Sequence, residues 1–216
     1  MTSNVEAPPT DGRRARGDRS RRAVLDHAVQ VASVEGLGGL TFGSLATAAP
    51  VNKSGIAGLF GSKEGLQLAV IDHARTTFVE EVIAPARAAE AGVARLWALV
   101  EAWTAYSRSR VFTGGCFFRA AEVELDGREA GPVRDAVVAV QAQWDGYLSH
   151  QVERAVDAGQ LVPDAEPAQV AFEIDALLGA ANDRSLLLGD DGVYLRAHRA
   201  IRATLVARGA DPAVLS

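Results

Sequence analysis

Only two of the 22 basic residues in this chain are lysines, Lys53 and Lys63, and each stands where the local sequence starts a helix. A primary ammonium at a helix N-terminus adds its charge to the free N–H groups there, an arrangement that holds a phosphate oxygen. Other chemistry is poorly supported. His27, His73, His150 and His198 lie far apart on separate predicted helices, without metal-ligand spacing. Glu122, Glu124 and Asp126 form a charge run of the kind carried by a solvated or inter-helix face. The stretch GLFGSKE over residues 58–64 lacks the Gly-Lys-Ser/Thr order and the preceding strand of a phosphate loop. No nucleophile comes with a base beside it. The residues therefore point away from an enzyme, a metal site or a cofactor, and toward phosphate binding.

The elements that position the lysines lie in residues 40–66. Thr41 is placed to cap a helix over residues 42–49, which Pro50 stops because it has no N–H and clashes with the turn before it. A second short helix follows over residues 52–60. Ser62 then caps a third at Lys63, with Glu64 in its first turn. Two short helices joined by a tight turn form a DNA-reading unit. Ahead of them, residues 20–35 carry Val24, Leu25, Ala28, Val31 and Ala32 at helical spacing, and Gly36, Gly38 and Gly39 end the run. The expected core of this unit is Leu25, Val29, Leu40, Leu45, Ile56 and Phe60. Residues 1–18 combine Pro, Gly, Thr and Asp with arginines, a composition that predicts a disordered arm. The basic run Arg13, Arg14, Arg16, Arg19, Arg21 and Arg22 leads from it into the first helix, either as an arm that enters an adjacent minor groove, with the residues nearest the helix placed to meet phosphate, or as a solubilising tail.

Charge is distributed to match. The formal net charge is −5, yet residues 1–66 balance at +2 and residues 67–216 at −7. Phosphate neutralisation needs only local positive charge, so the pattern fits a DNA-facing head on an acidic body. A single cysteine, Cys116, excludes an internal disulfide framework and suits a reducing, cytoplasmic setting. No apolar run is long enough to span a membrane, and the N-terminus lacks the apolar stretch of a secretory signal.

Beyond Lys63 the helical pattern continues through Val82 to a stop before Pro85, then over residues 93–108, 132–158, 167–188 and 192–208. No period-two alternation predicts strands. Ala171, Ile174, Leu177, Leu178 and Ala181 make one broad apolar face; Tyr194, Leu195, His198, Ile201 and Leu205 make another. Each packs on its own body or on a second copy. In residues 106–126, Gly114 and Gly115 permit a sharp turn into a helix that carries Cys116 and Phe117. Trp97, Trp103, Tyr106, Phe112 and Trp144 are placed to join them around an apolar effector pocket; the alternative for such rings at helical spacing is plain core.

Ala46, Val51, Lys53, Ile56, Phe60, Ser62, Lys63, Glu64 and Leu66, preceded by Leu40 and Thr41 and an amphipathic helix, resemble the N-terminal domain of the TetR family of bacterial transcriptional regulators. The resemblance implies an all-α homodimer with a three-helix helix-turn-helix domain (residues 19–66) and a C-terminal helical effector-binding and dimerisation domain (residues 67–216). It also implies a double-stranded palindromic operator, read by residues 52–59 in the major groove, a dimer formed through the last two helices, and release by a small-molecule effector. Residues placed for DNA are Arg22, Thr41, Asn52, Lys53, Ser54, Gly55 and Lys63. The chain departs from the family where Pro50 replaces a turn glycine and where Ala57 and Leu59 replace side chains that bond phosphate. The alternative is a helical small-molecule-binding dimer that has lost sequence-specific DNA recognition.

Overall fold

A computed structural model describes residues 10–46 and 52–216. Among the described residues every regular element is helical: α1 (Thr10–Gly39), α2 (Phe42–Ala46), α3 (Lys53–Phe60), α4 (Lys63–Phe78), a π turn (Val79–Ile83), α5 (Ala84–Ala86), α6 (Val93–Arg108), α7 (Phe117–Leu125), α8 (Pro132–Asp157), α9 (Pro167–Leu188), α10 (Gly192–Ala207) and a closing 3-10 turn (Pro212–Val214). Local chemistry sets most of these bounds. Asn52 and Ser62 cap α3 and α4 by accepting from the N–H groups of Gly55 (2.8 Å) and Gly65 (2.9 Å), satisfying donors that a helix start leaves free. Pro132 and Pro167 open α8 and α9, where a missing N–H costs nothing. Gly189 closes α9 in the left-handed conformation.

Two bounds depart from expectation. Helix α1 begins at Thr10 rather than near Ser20, so the second half of the segment expected to be a disordered arm is helical; residues 1–9 lie outside the described residues. The helix from Lys63 does not stop before Pro85 but passes it through the π turn. A proline ring collides with the carbonyl four residues back, and a widened turn takes that carbonyl out of line. Helix α2 is seen over five residues, and Pro50 and the rest of the expected turn lie outside the described residues. Helix α4 also runs without a break across the expected domain boundary at residues 66 and 67.

The head core is the one expected. Leu25, Val29, Leu40, Leu45, Ile56 and Phe60 are all buried, so α1 supports α2 and α3 from behind. In the body, Phe78 at the end of α4 meets Tyr106, Phe118 and Trp144 edge-on, with ring centroids 5.6, 6.1 and 5.3 Å away. This locks α4, α6, α7 and α8 around one centre. The apolar faces on α9 and α10 turn mostly inward: Ala171, Ile174, Leu178, Ala181, Tyr194, Ile201 and Leu205 are buried within the single chain. Left exposed instead are Phe172, Leu187, Leu188 and Leu195. No helix among the described residues is long and apolar enough to cross a membrane.

Candidate nucleic-acid interface and effector cavity

Helix α3 has two unlike sides. Ile56 and Phe60 point into the head core, whereas Asn52, Lys53, Ser54 and Gly58 are exposed. Gly55 is half-buried and gives its N–H to the Asn52 cap. Ser54 Oγ donates to the same Asn52 oxygen at 2.9 Å, so these two residues order the first turn of α3. Ala57 and Leu59 are half-buried and offer no polar side chain. Thr41 is exposed and caps α2, accepting from the Ser44 N–H at 3.0 Å. Arg22 is exposed on α1. Lys53 and Lys63 are both exposed, and the Lys63 ammonium donates to the Gly38 carbonyl at 2.6 Å. That bond ties the start of α4 to the end of α1 and leaves Lys63 two further donors.

A residue assigned by sequence only to the basic run holds the reading helix. Arg21 Nη1 donates to the Leu59 carbonyl at 2.9 Å, and its guanidinium lies 4.6 Å from the centroid of the Phe60 ring. One cation thus meets a carbonyl at the C-terminal end of α3, where the helix dipole favours positive charge, and covers the aromatic anchor of that helix.

The head is bolted to the body at α7. Both carboxylate oxygens of Glu124 accept backbone N–H groups, from Leu37 at 2.6 Å and Gly38 at 2.8 Å. Helix α1 kinks there at Gly36, whose φ of 78° suits a residue without a Cβ. A Cβ on Gly36 would stand 2.6 Å from the Glu124 carboxylate. Gln67 of α4 donates to the Leu37 carbonyl at 2.8 Å, so the joint is satisfied from two helices.

Every residue placed for the effector is buried, but they do not surround one ligand-sized space. Tyr106, Phe112 and Phe117 pack on one another, with neighbouring centroids 5.9 Å apart. Trp97 stands apart against His198. Trp103, Cys116 and Trp144 meet around a void of about 20 Å³, room for a single water. A cavity of about 340 Å³ opens instead between α7 and α8, with Leu125, Val137 and Val138 as apolar walls and Glu122, Asp145 and Arg134 as charged ones. A second of about 200 Å³ lies between α4 and α8 and is bordered by Trp144.

Burial raises the Glu122 carboxyl above its ordinary range. Arg119, donating at 3.0 Å, opposes that shift, and the charges of Asp175 and Asp145 add to it. Asp145 is raised by burial and by Asp175, against a hydrogen bond from Gln141. Burial also pushes the Cys116 thiol up to about 11.

Sequence reasoning missed Arg21, Glu124 and this cavity. Glu124 was read only as part of a solvated or inter-helix charge run, and its signal was indirect: a kinked Gly-rich end of α1 whose N–H groups need an acceptor.

Comparison with known proteins agrees with this architecture. Residues 92–201 match the family described as tetracyclin repressor-like, C-terminal domain. A TetR transcriptional regulator of Chloroflexus aurantiacus J-10-FL superposes with a TM-score of 0.81 at 24% identity, over 90% of this chain and 97% of that one. A TetR-family regulator of Cytophaga hutchinsonii gives 0.78 at 18% identity, over 91% and 98%. AibR, solved in complex with isovaleryl coenzyme A and operator DNA, gives 0.62 at 19% identity, over 76% and 86%. No curated protein matches the sequence. A helix-turn-helix head on an all-helical body, with the family's C-terminal domain spanning half of the chain, makes this protein a member of the TetR family of transcriptional regulators.

Proposed function

We propose that this protein is a ligand-responsive repressor that binds a palindromic operator as a homodimer and is released by a small-molecule effector. The observation that carries the reading is α3 itself. Its inner side is anchored by Ile56, Phe60 and Arg21, while its outer side and its N-terminus, with Asn52, Lys53 and Ser54, stay open. Such a helix presents its first turn to a groove without losing any of its own packing. Lys53, Lys63, Thr41 and Arg22 supply the phosphate contacts, and Asn52 and Ser54 with the backbone at Gly55 supply a short base-reading code.

Dimerisation is supported by the exposed apolar side chains on α9 and α10. Leu187 is 83% and Phe172 67% exposed in the single chain, and a second copy would cover them. The effector seats between α7 and α8. Leu125 and Glu122 border that cavity, and Glu124 on the same helix clamps the head. A ligand that moves α7 therefore acts on the clamp and favours a dimer whose heads no longer match successive major-groove turns.

Selection from random duplex DNA tests the reading. A palindromic sequence should be enriched, and its affinity should fall steeply with salt. Lys53→Ala should weaken binding to all sequences alike and reduce the salt slope by about 1. A dimer that binds ligand yet enriches no sequence would establish the alternative, a binding protein without DNA recognition.

A further inference from the structure

We propose that the loop over residues 110–115 is a strap that sets the angle of the DNA-binding head on helix α9, with Gln30 and Asn182 as its two anchors. It thereby determines which half-site spacing the protein accepts. The inference rests on the reading of the chain as a dimeric operator-binding protein.

The head end of the strap is tied to α1. Gln30 Oε1 accepts from the Thr113 N–H at 2.8 Å and from its hydroxyl at 2.9 Å, and Gln30 Nε2 donates to the Val111 carbonyl at 3.0 Å. Ser33 Oγ accepts from the Gly114 N–H at 3.0 Å. The body end is tied to α9. Asn182, which is 2% exposed, accepts from the Cys116 N–H at 2.9 Å and from Ser107 Oγ at 2.9 Å. Arg110 donates to Ser185 Oγ at 2.6 Å and to the Ser107 carbonyl at 3.1 Å, and it holds a φ of 54°, uncommon for a residue with a side chain. Tyr194 of α10 closes the network through its hydroxyl, 2.8 Å from Ser107 Oγ.

The two glycines leave the strap no slack. A Cβ on Gly114 would lie 1.8 Å from the Ser33 carbonyl oxygen, and one on Gly115 would lie 2.4 Å from the Asn182 side-chain oxygen. Consecutive residues therefore sit directly against α1 of the head and against α9. Helix α9 carries part of the exposed apolar face assigned to the partner copy, so a head fixed to α9 is fixed relative to the two-fold axis. Half-sites one helical turn apart lie about 34–36 Å from centre to centre. A head that pivots on its mount accepts neighbouring spacings; a strapped head does not.

The test uses the full chain, with Gln30→Ala at the head end and Asn182→Ala at the body end, on two readouts. On duplexes carrying the enriched half-sites at spacings stepped by one base pair, the parent should prefer one spacing tenfold or more, and Gln30→Ala should flatten that preference to threefold or less. A spacing profile identical to the parent's, or an equal loss at every spacing, overturns the proposal. The second readout is amide hydrogen exchange, which needs no DNA. Asn182→Ala should speed exchange at Thr113 and Gly114, whose partners lie on α1; unchanged exchange there overturns the strap. A parent that enriches no sequence overturns the spacing role through the operator reading alone, and exchange still judges the mechanical one. Gln30 is only half-buried, so its variant keeps the test decisive should Asn182→Ala fail to fold.

Discussion

Replacing Arg21 by alanine removes two contacts at once, the bond to the Leu59 carbonyl at 2.9 Å and the cover over the Phe60 ring at 4.6 Å. The bond is charge-assisted but half-exposed, worth about 1–1.5 kcal/mol. The cation over the ring adds about 0.5–1 kcal/mol. The Leu59 carbonyl is near the end of α3 and can turn to water, so no further desolvation cost arises. The expected loss is about 2 kcal/mol, which multiplies the unfolded or open population of the head roughly 30-fold. Urea denaturation followed by far-UV circular dichroism should show it as a lower midpoint at unchanged slope. Arg21→Lys should recover less than half, because an ammonium donates to the carbonyl but cannot lie flat on the ring. Operator affinity should weaken while its salt slope stays at the parent's value, since the guanidinium is turned toward α3 and not toward DNA. A stability loss under 0.5 kcal/mol together with a salt slope reduced by about 1 would refute this reasoning and make Arg21 a phosphate contact.

The Cys116 thiol, at about 11, should be about one part in a thousand thiolate at pH 8, so alkylation of native protein should be slow and become fast on unfolding. Its folded value lies above the ordinary 9.0; the associated stability is therefore full below pH 9 and is lost as pH rises toward 11, visible as a falling urea midpoint absent from Cys116→Ser. Asp145 is raised by burial and by Asp175, so the folded state binds its proton more readily than the unfolded chain. Asp145→Asn should raise stability at pH 7, and the gain should shrink as pH falls into the carboxylate range, measured by paired denaturation curves. Gly179→Ala would place a Cβ 2.7 Å from the Arg119 guanidinium. Arg119 should then lose its bond to Glu122, with a change in the affinity of any ligand in the α7–α8 cavity, read by calorimetry.

Much of the head was legible in the amino-acid order because its determinants are short-range. Asn52 and Ser62 cap helices through N–H groups three residues away, and the core pairs Leu25/Val29 and Ile56/Phe60 each stand four residues apart on one helix. The bounds of α9 followed from Pro167 and Gly189 in the same way. Pro85 misled because a proline stops an ideal α-helix, and only the packed chain shows the turn widened to let it through. The effector residues show a different limit. Large rings at helical spacing predict burial whether they line a hole or fill one, and here Tyr106, Phe112 and Phe117 fill it.

Taken alone, the order of residues determined where most of the helices lie, which sides of them are apolar, and that the two lysines stand at helix starts, because each of these depends on neighbours within a turn or two. Tertiary structure alone decided that Arg21 holds the end of α3 from 38 residues away and that Glu124 clamps the exit of α1 across 87. It also decided that the Lys63 ammonium shares itself with Gly38 and that a cavity opens between α7 and α8. Those pairings join polar groups whose partners can be any of many donors and acceptors in the chain, and only the packing of the apolar faces selects among them.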